Sequence, residues 1–154
     1  MSEAQQPVFN IEKIYVKDLS LEVPNAPRVF MEAAQPQLEI QLQQKNERID
    51  EGLYEVTLIV TVSAKIAEKT MFLVEASQAG IFQIRNVPDA DIEPLLGTLC
   101  PNVLFPYARE TVSDTINRAG FPPVNLAPVN FEAIYQQRMA QQEPSGPRIE
   151  IAHG

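Results

Sequence analysis

Three carboxylates stand close together at Asp89, Asp91 and Glu93, and clustered acids are a tool of general acid–base chemistry. They follow Pro88 at a predicted helix start, where acidic side chains also complement the helix dipole. The one histidine, His153, lies beside the C-terminus in a stretch that reads as a tail. Cys100, the one cysteine, sits between apolar residues and a proline, which predicts a packing thiol rather than a reactive one. The chain contains no Gly-rich phosphate loop, CxxC, HExxH or GxSxG. No catalytic residue, metal ligand set or cofactor is therefore expected. The remaining chemistry is non-covalent, carried by apolar side chains on an irregular loop and by carboxylates on a strand face.

Composition narrows the partners. The 154 residues carry a net charge of −8, and 45% are hydrophobic, which suits one globular domain with a real core. An acidic chain repels phosphate backbones, so neither nucleic acid nor an anionic membrane surface is an expected partner. The longest apolar runs are far shorter than the roughly 20 residues that cross a bilayer, so no membrane insertion is expected. Met1 to Pro7 have neither a basic stretch nor an apolar one, so no signal peptide is expected, and a single cysteine suits a reducing cytoplasm.

The elements that must position these residues follow from periodicity. Phe9 to Glu22 reads as a strand with Phe9, Ile11, Tyr15, Leu19 and Leu21 on one face. Ile14 and Val16 break the alternation, which predicts a twist, a bulge, or covering by another chain. Pro24 to Pro36 reads as an extended crossing loop whose Val23, Val29, Phe30 and Met31 either fold back on the core or wall a groove. Leu38, Ile40 and Leu42 alternate with polar residues in a second strand, and Gln44 to Gly52 reads as a hairpin loop. Tyr54 to Ala64 is the cleanest strand. Met71 to Ile84 is the fourth, with Gly80 predicting a bulge.

Beyond Pro88 the period becomes helical. Ile92, Leu95, Leu96 and Leu99 share one face up to Cys100, and Pro101 and Pro106 punctuate the pattern. Ala108, Val112, Ile116 and Ala119 continue from Tyr107 to a stop at Gly120, and Asn130 caps a last helix from Phe131 to about Gln142. The sum is an α+β fold, a four-stranded antiparallel sheet with C-terminal helices packed on one face. Residues 1–8 read as a flexible N-terminus, 9–142 as a single domain, and 143–154 as a disordered acidic and polar tail.

A collinear series of segments resembles SecB, the bacterial protein-export chaperone family. It runs from Ile14-Tyr15-Val16-Lys17-Asp18-Leu19-Ser20 through Glu22-Val23-Pro24-Asn25-Ala26-Pro27, Tyr54-Glu55-Val56, Phe72-Leu73-Val74-Glu75 and Gln78-Ala79-Gly80-Ile81-Phe82. The longest block is Cys100-Pro101-Asn102-Val103-Leu104-Phe105-Pro106-Tyr107-Ala108-Arg109-Glu110, followed by Gly120-Phe121-Pro122-Pro123 and Asn125-Leu126-Ala127-Pro128-Val129-Asn130-Phe131. Together they span roughly residues 9 to 135. The resemblance implies a non-enzymatic cytoplasmic chaperone that holds unfolded precursor polypeptides and delivers them to the motor ATPase SecA. It also implies a homotetramer built as a dimer of dimers.

On that resemblance, a client groove is expected between the crossing loop (Val23, Val29, Phe30, Met31) and the last helix (Phe131, Ile134, Tyr135, Met139). The docking surface for the zinc-containing tail of SecA falls on Asp18, Glu22, Leu73 and Glu75. Leu73 and Glu75 share one strand face, as do Asp18 and Glu22, and strand register decides whether the pairs meet. Subunit contacts are expected at Ile14, Val16, Leu96, Cys100, Val112 and Ile116. The alternative to the chaperone is a small-ligand carrier or structural interaction domain using the sheet face alone. A carrier ignores unfolded chains, whereas a holdase binds them and ignores their folded forms.

Overall fold

A strand with strict alternation must bury one face, and Val56, Leu58, Val60, Val62 and Ala64 do so here, none more than 1% exposed. They lie on the central strand of a sheet in a computed structural model that describes residues 5–141 and 149–153. The elements are β1 (Val8–Glu22), a single 3-10 turn (Arg28–Met31), β2 (Gln37–Asp50), β3 (Leu53–Ile66) and β4 (Lys69–Arg85). Helices α1 (Asp89–Gly97), α2 (Leu99–Arg118) and α3 (Phe131–Gln141) follow, and a short β5 (Ile149–His153) comes last. The sheet is antiparallel with order β1-β4-β3-β2-β5.

The α+β expectation of four antiparallel strands with helices on one face holds, with a fifth short strand added. Helix α2 seats Cys100, Leu104, Ala108, Val112 and Ile116, one every fourth residue, and none of them retains any exposure. That stripe meets the inner faces of β3 and β4, where Phe72, Val74, Ala76 and Phe82 complete the core. Gly80 is not a bulge: it pairs regularly with both Ile14 and Val56. A side chain there would press on Phe82, Leu104 and the Lys13 carbonyl, so its absence lets α2 approach the sheet.

The irregularity lies in β1 instead. Register shifts fall between Ile11 and Lys13 and between Val16 and Asp18, each inserting one extra residue. Each insertion flips the phase, so Phe9 and Ile11, Ile14 and Val16, and Leu19 and Leu21 all reach the same, helix-side face, while Tyr15, expected with them, turns to the other. The apparent break in the pattern is thus two bulges.

Other boundaries differ for local reasons. The polar run from Gln44 to Asp50 is strand rather than loop, because β2 pairs with β3 as far as Asp50. The turn itself is Glu51–Gly52, with Gly52 at φ +69°. Pro101 and Pro106 do not interrupt the helix. Pro101 lies in the first turn of α2, where a missing N–H costs little, and Pro106 is accommodated within a continuous helix. Gly120 at φ +96° ends α2, and Asn130 caps α3 by accepting the Ala133 N–H at 3.0 Å, both as expected.

At the N-terminus, residues 1–4 lie outside the described residues, and Val8 already pairs with Arg85. Gln142 and, of the expected tail, 143–148 and Gly154 lie outside the described residues as well. Ile149–His153 departs from the disordered reading and forms β5 along β2. An alternating segment beside an open sheet edge can satisfy the edge's backbone donors and acceptors.

Candidate functional site

The crossing loop is held by its ends and by one side chain. Asn25 Nδ2 donates to the Thr70 carbonyl at 2.8 Å, and Val29, only 5% exposed, plugs into the core. Its two neighbours go the other way, with Phe30 48% and Met31 85% exposed. Phe30 stacks on Phe121 at 5.0 Å, and Phe121 in turn packs on Phe72 at 5.0 Å. The loop therefore presents apolar side chains from a fixed base.

The last helix contributes less than expected. Phe131 is 2% exposed and packs edge-on against Phe105 at 5.9 Å, so it belongs to the core. Ile134 and Val23 are half-buried against the same core. Tyr135 lies against Gly97, where any side chain would strike its ring, and Met139 is exposed. Of the eight candidate groove residues, Val29 and Phe131 are core, and Phe30, Met31 and Met139 are surface.

Phe30 of the loop and the helix α3 pack towards opposite ends of α2. Phe30 lies against Gly120, just past the C-terminal end of α2, whereas α3 packs near its N-terminal end, beside Gly97 and Phe105. These ends are about 30 Å apart for a 20-residue helix. The segment from Phe121 to Asn130 joins them, with Phe121 and Leu126 buried and Val124 and Val129 half-buried. At the α3 end an open cavity of about 530 Å³ is lined by Leu99, Asn102, Val129 and Phe131. Periodicity had not marked Leu99, Val124 or Val129 as surface, since a helical stripe or a proline-rich connection is silent on what covers it.

On the opposite sheet face, register decides the second site. Glu22 pairs with Leu73, Ser20 with Glu75, and Asp18 with Ser77. All four expected docking residues therefore share one face on adjacent strands, within about 15 Å. Thr61 Oγ1 donates to Glu75 at 2.9 Å and fixes that carboxylate. Among the described residues no ion pair engages Asp18, Glu22 or Glu75. Alongside lies a cluster that sequence spacing had not revealed. The second bulge swings Lys17 out of register, and its Nζ meets Glu55 of β3 at 2.7 Å, while the Tyr15 hydroxyl donates to the other Glu55 oxygen. Lys17 and Tyr15 hold the Glu55 carboxyl below its ordinary value, and burial, with Glu55 beside it, pushes the Tyr15 phenol up to about 12. Partners 38 and 40 residues apart become visible only once the register is known.

The expected subunit contacts divide sharply. Leu96, Cys100, Val112 and Ile116 are at most 4% exposed inside the chain's own core, so they form no surface. Their helical period addresses this chain's sheet. Burial also pushes the Cys100 thiol up to about 12, in keeping with a packing role. Ile14 is half-buried, but Val16 is 45% exposed and joins Ile11, Leu19 and Leu21 in an apolar row along edge strand β1. Asp89 and Asp91 open the first turn of α1 and, like Glu93, are exposed.

Comparison with known proteins fits this geometry. The family model described as preprotein translocase subunit SecB matches residues 2–142. A curated relative named protein-export protein SecB, from Chromobacterium violaceum, is 66% identical over 148 residues, covering 95% of this chain and 99% of its own. Another of that name from Nitrosospira multiformis is 65% identical, covering 93% of this chain and 90% of its own. Among solved structures, a SecB-like chaperone of Mycobacterium tuberculosis, in complex with a peptide from an antitoxin, shares the fold at a TM-score of 0.67 and 18% identity. The match covers 79% of this chain and 91% of that one. No helix among the described residues is long and apolar enough to cross a membrane.

Proposed function

This chain belongs to the SecB family of protein-export proteins and is an export chaperone; from that premise we propose how its surfaces divide the work. Unfolded precursors lie along the apolar track from Phe30 and Met31, past Val124 and Val129, to the cavity beside Leu99 and on to Tyr135 and Met139. A track of about 30 Å holds roughly nine residues of extended chain. Contacts spread over such a length tolerate many sequences, and two thioethers at the surface adapt to many shapes. The observation that carries this reading is the run Val29-Phe30-Met31, in which one buried side chain anchors two exposed ones. The chaperone acts in the cytoplasm and hydrolyses nothing.

The face formed by Asp18, Glu22, Leu73 and Glu75 receives the zinc-containing tail of SecA, whose basic groups meet the carboxylates while Leu73 supplies an apolar contact. The subunits form a tetramer, a dimer of dimers, with the apolar row of β1 as one seam. A 15-residue edge strand with four exposed large hydrophobics is otherwise an aggregation hazard.

The test is arrest of refolding of a denatured, slow-folding precursor, with its native form as control. Capture of the unfolded form alone supports the reading; no effect by folded tetramer defeats it. In the same assay Glu75→Lys retains client capture and loses SecA binding by tenfold or more, on the order expected for reversing one charge in a steered interface. Loss of both activities together would show that the two surfaces are not separate.

A further inference from the structure

Strand β2 bounds the sheet at the end opposite β1, and the structure shows what sits on it. Five residues of β5 pair antiparallel with it, from Leu38 opposite His153 to Leu42 opposite Ile149. β2 itself runs from Gln37 to Asp50, so positions 43–50 continue beyond the stretch that β5 covers. An edge strand offers a backbone donor and acceptor at alternate residues, and these are the same whatever chain pairs with them. A resident of only five residues makes few ladder bonds, so its hold on the edge is slight.

The edge also carries a pattern. Ile40 is 1% and Leu42 3% exposed on the core side, while Glu39 is exposed and Gln41 half-buried on the other. Register places Ile149 opposite Leu42, Glu150 opposite Gln41 and Ile151 opposite Ile40. The edge is thus matched to an extended segment with an apolar residue at every second position.

Resting on the chaperone reading above, we infer that the β2 edge is a strand-addition site for extended client segments, occupied by the chain's own residues 149–153 until a client displaces them. Backbone pairing gives affinity without sequence selection, and alternate apolar positions favour segments destined to be strands. The resident strand lowers the apparent client affinity by the fraction of time for which the edge is closed. It also protects the edge from other copies of the chain.

The test uses two full-length variants, Glu150→Pro and Ile151→Pro. Backbone N–H groups alternate in direction along a strand, so proline removes a donor to β2 in only one of them. In that variant, amide hydrogen exchange within Leu38–Leu42 accelerates about tenfold, and a reduced, alkylated and permanently unfolded protein binds severalfold tighter. In the wild type, excess of the same unfolded probe preserves protection at Leu38–Leu42 and extends it into 43–50. Identical exchange in both variants and the wild type overturns the resident strand. Probe binding that leaves the amides of 37–50 unchanged overturns the strand-addition site and leaves the chaperone reading intact. Absence of any probe binding defeats both.

Discussion

Val29 and Met31 are two residues apart on the crossing loop, and opposite consequences follow from their burial. Val29→Ala removes two methyl groups from a site with 5% exposure. At roughly 0.8 kcal/mol per buried methylene plus a small cavity, the loss is about 2 kcal/mol per protomer. For a chain of this size that lowers the melting temperature by about 4–8 °C. Met31→Ala trims a side chain that is 85% exposed, so stability changes by less than about 0.5 kcal/mol. Its effect falls on binding. Burying a whole methionine side chain yields about 1.5–3 kcal/mol, and half of that against a mobile client is about 1 kcal/mol, or roughly fivefold in Kd. Phe30→Ala, half-exposed and stacked on Phe121, affects both quantities. Far-UV melts read the first quantity, and fluorescence anisotropy of a labelled unfolded precursor reads the second. If Val29→Ala weakened binding at unchanged stability, or if Met31→Ala left binding untouched, the loop would not be a client surface anchored by its buried residue.

Three further outcomes follow from the same coordinates. Glu55 is held below its ordinary value by Lys17 and Tyr15, so its contribution is present above about pH 4.5 and is lost as pH falls through its lower native value. Acid unfolding of Glu55→Gln is therefore less steep in that range than that of the wild type, and parallel acid limbs would refute the coupling. Ala67 and Glu68 form the β3–β4 turn with φ of 47° and 73°, a left-handed pair normally left to Asn and Gly. Ala67→Asn with Glu68→Gly raises stability by about 1–2 kcal/mol, read as a higher urea midpoint at unchanged slope; no rise would mean that the turn carries no strain. Val16→Asp with Leu19→Asp charges two side chains that are each 45% exposed, so the protomer stays folded while sedimentation mass falls below that of the unsubstituted protein. Unaltered mass would move the seam away from β1.

The core was legible in the sequence because periodicity reports burial within a chain. The β3 alternation and the repeat of Ala108, Val112 and Ile116 found their places, while the two prolines hid the extension of that stripe back to Leu104 and Cys100. That same property misled the expectation of subunit contacts at Leu96, Cys100, Val112 and Ile116, since an apolar period does not say whose surface it meets. The acidic face proposed for docking was half legible. Spacings of two and four residues put Leu73 with Glu75 and Asp18 with Glu22, but pairing Glu22 with Leu73 required register, which two bulges in β1 had shifted. The Lys17–Glu55–Tyr15 cluster needed that same information and had no local signal.

The bulges connect these cases. Without them, six apolar residues of β1 would divide between the two faces, and the sheet's outer side would carry Ile14 and Val16 amid its carboxylates. Two inserted residues gather all six on the helix side and leave Lys13, Tyr15, Asp18, Ser20 and Glu22 outward. Yet α2 covers β3 and β4 and leaves much of β1 open, so the gathered row stays exposed at Ile11, Val16, Leu19 and Leu21. One local device therefore yields both an acidic face free of large apolar β1 side chains and an apolar edge that a second copy can cover. The sequence displayed it as a defect in alternation, and the sense of that defect follows from counting partners across the ladder.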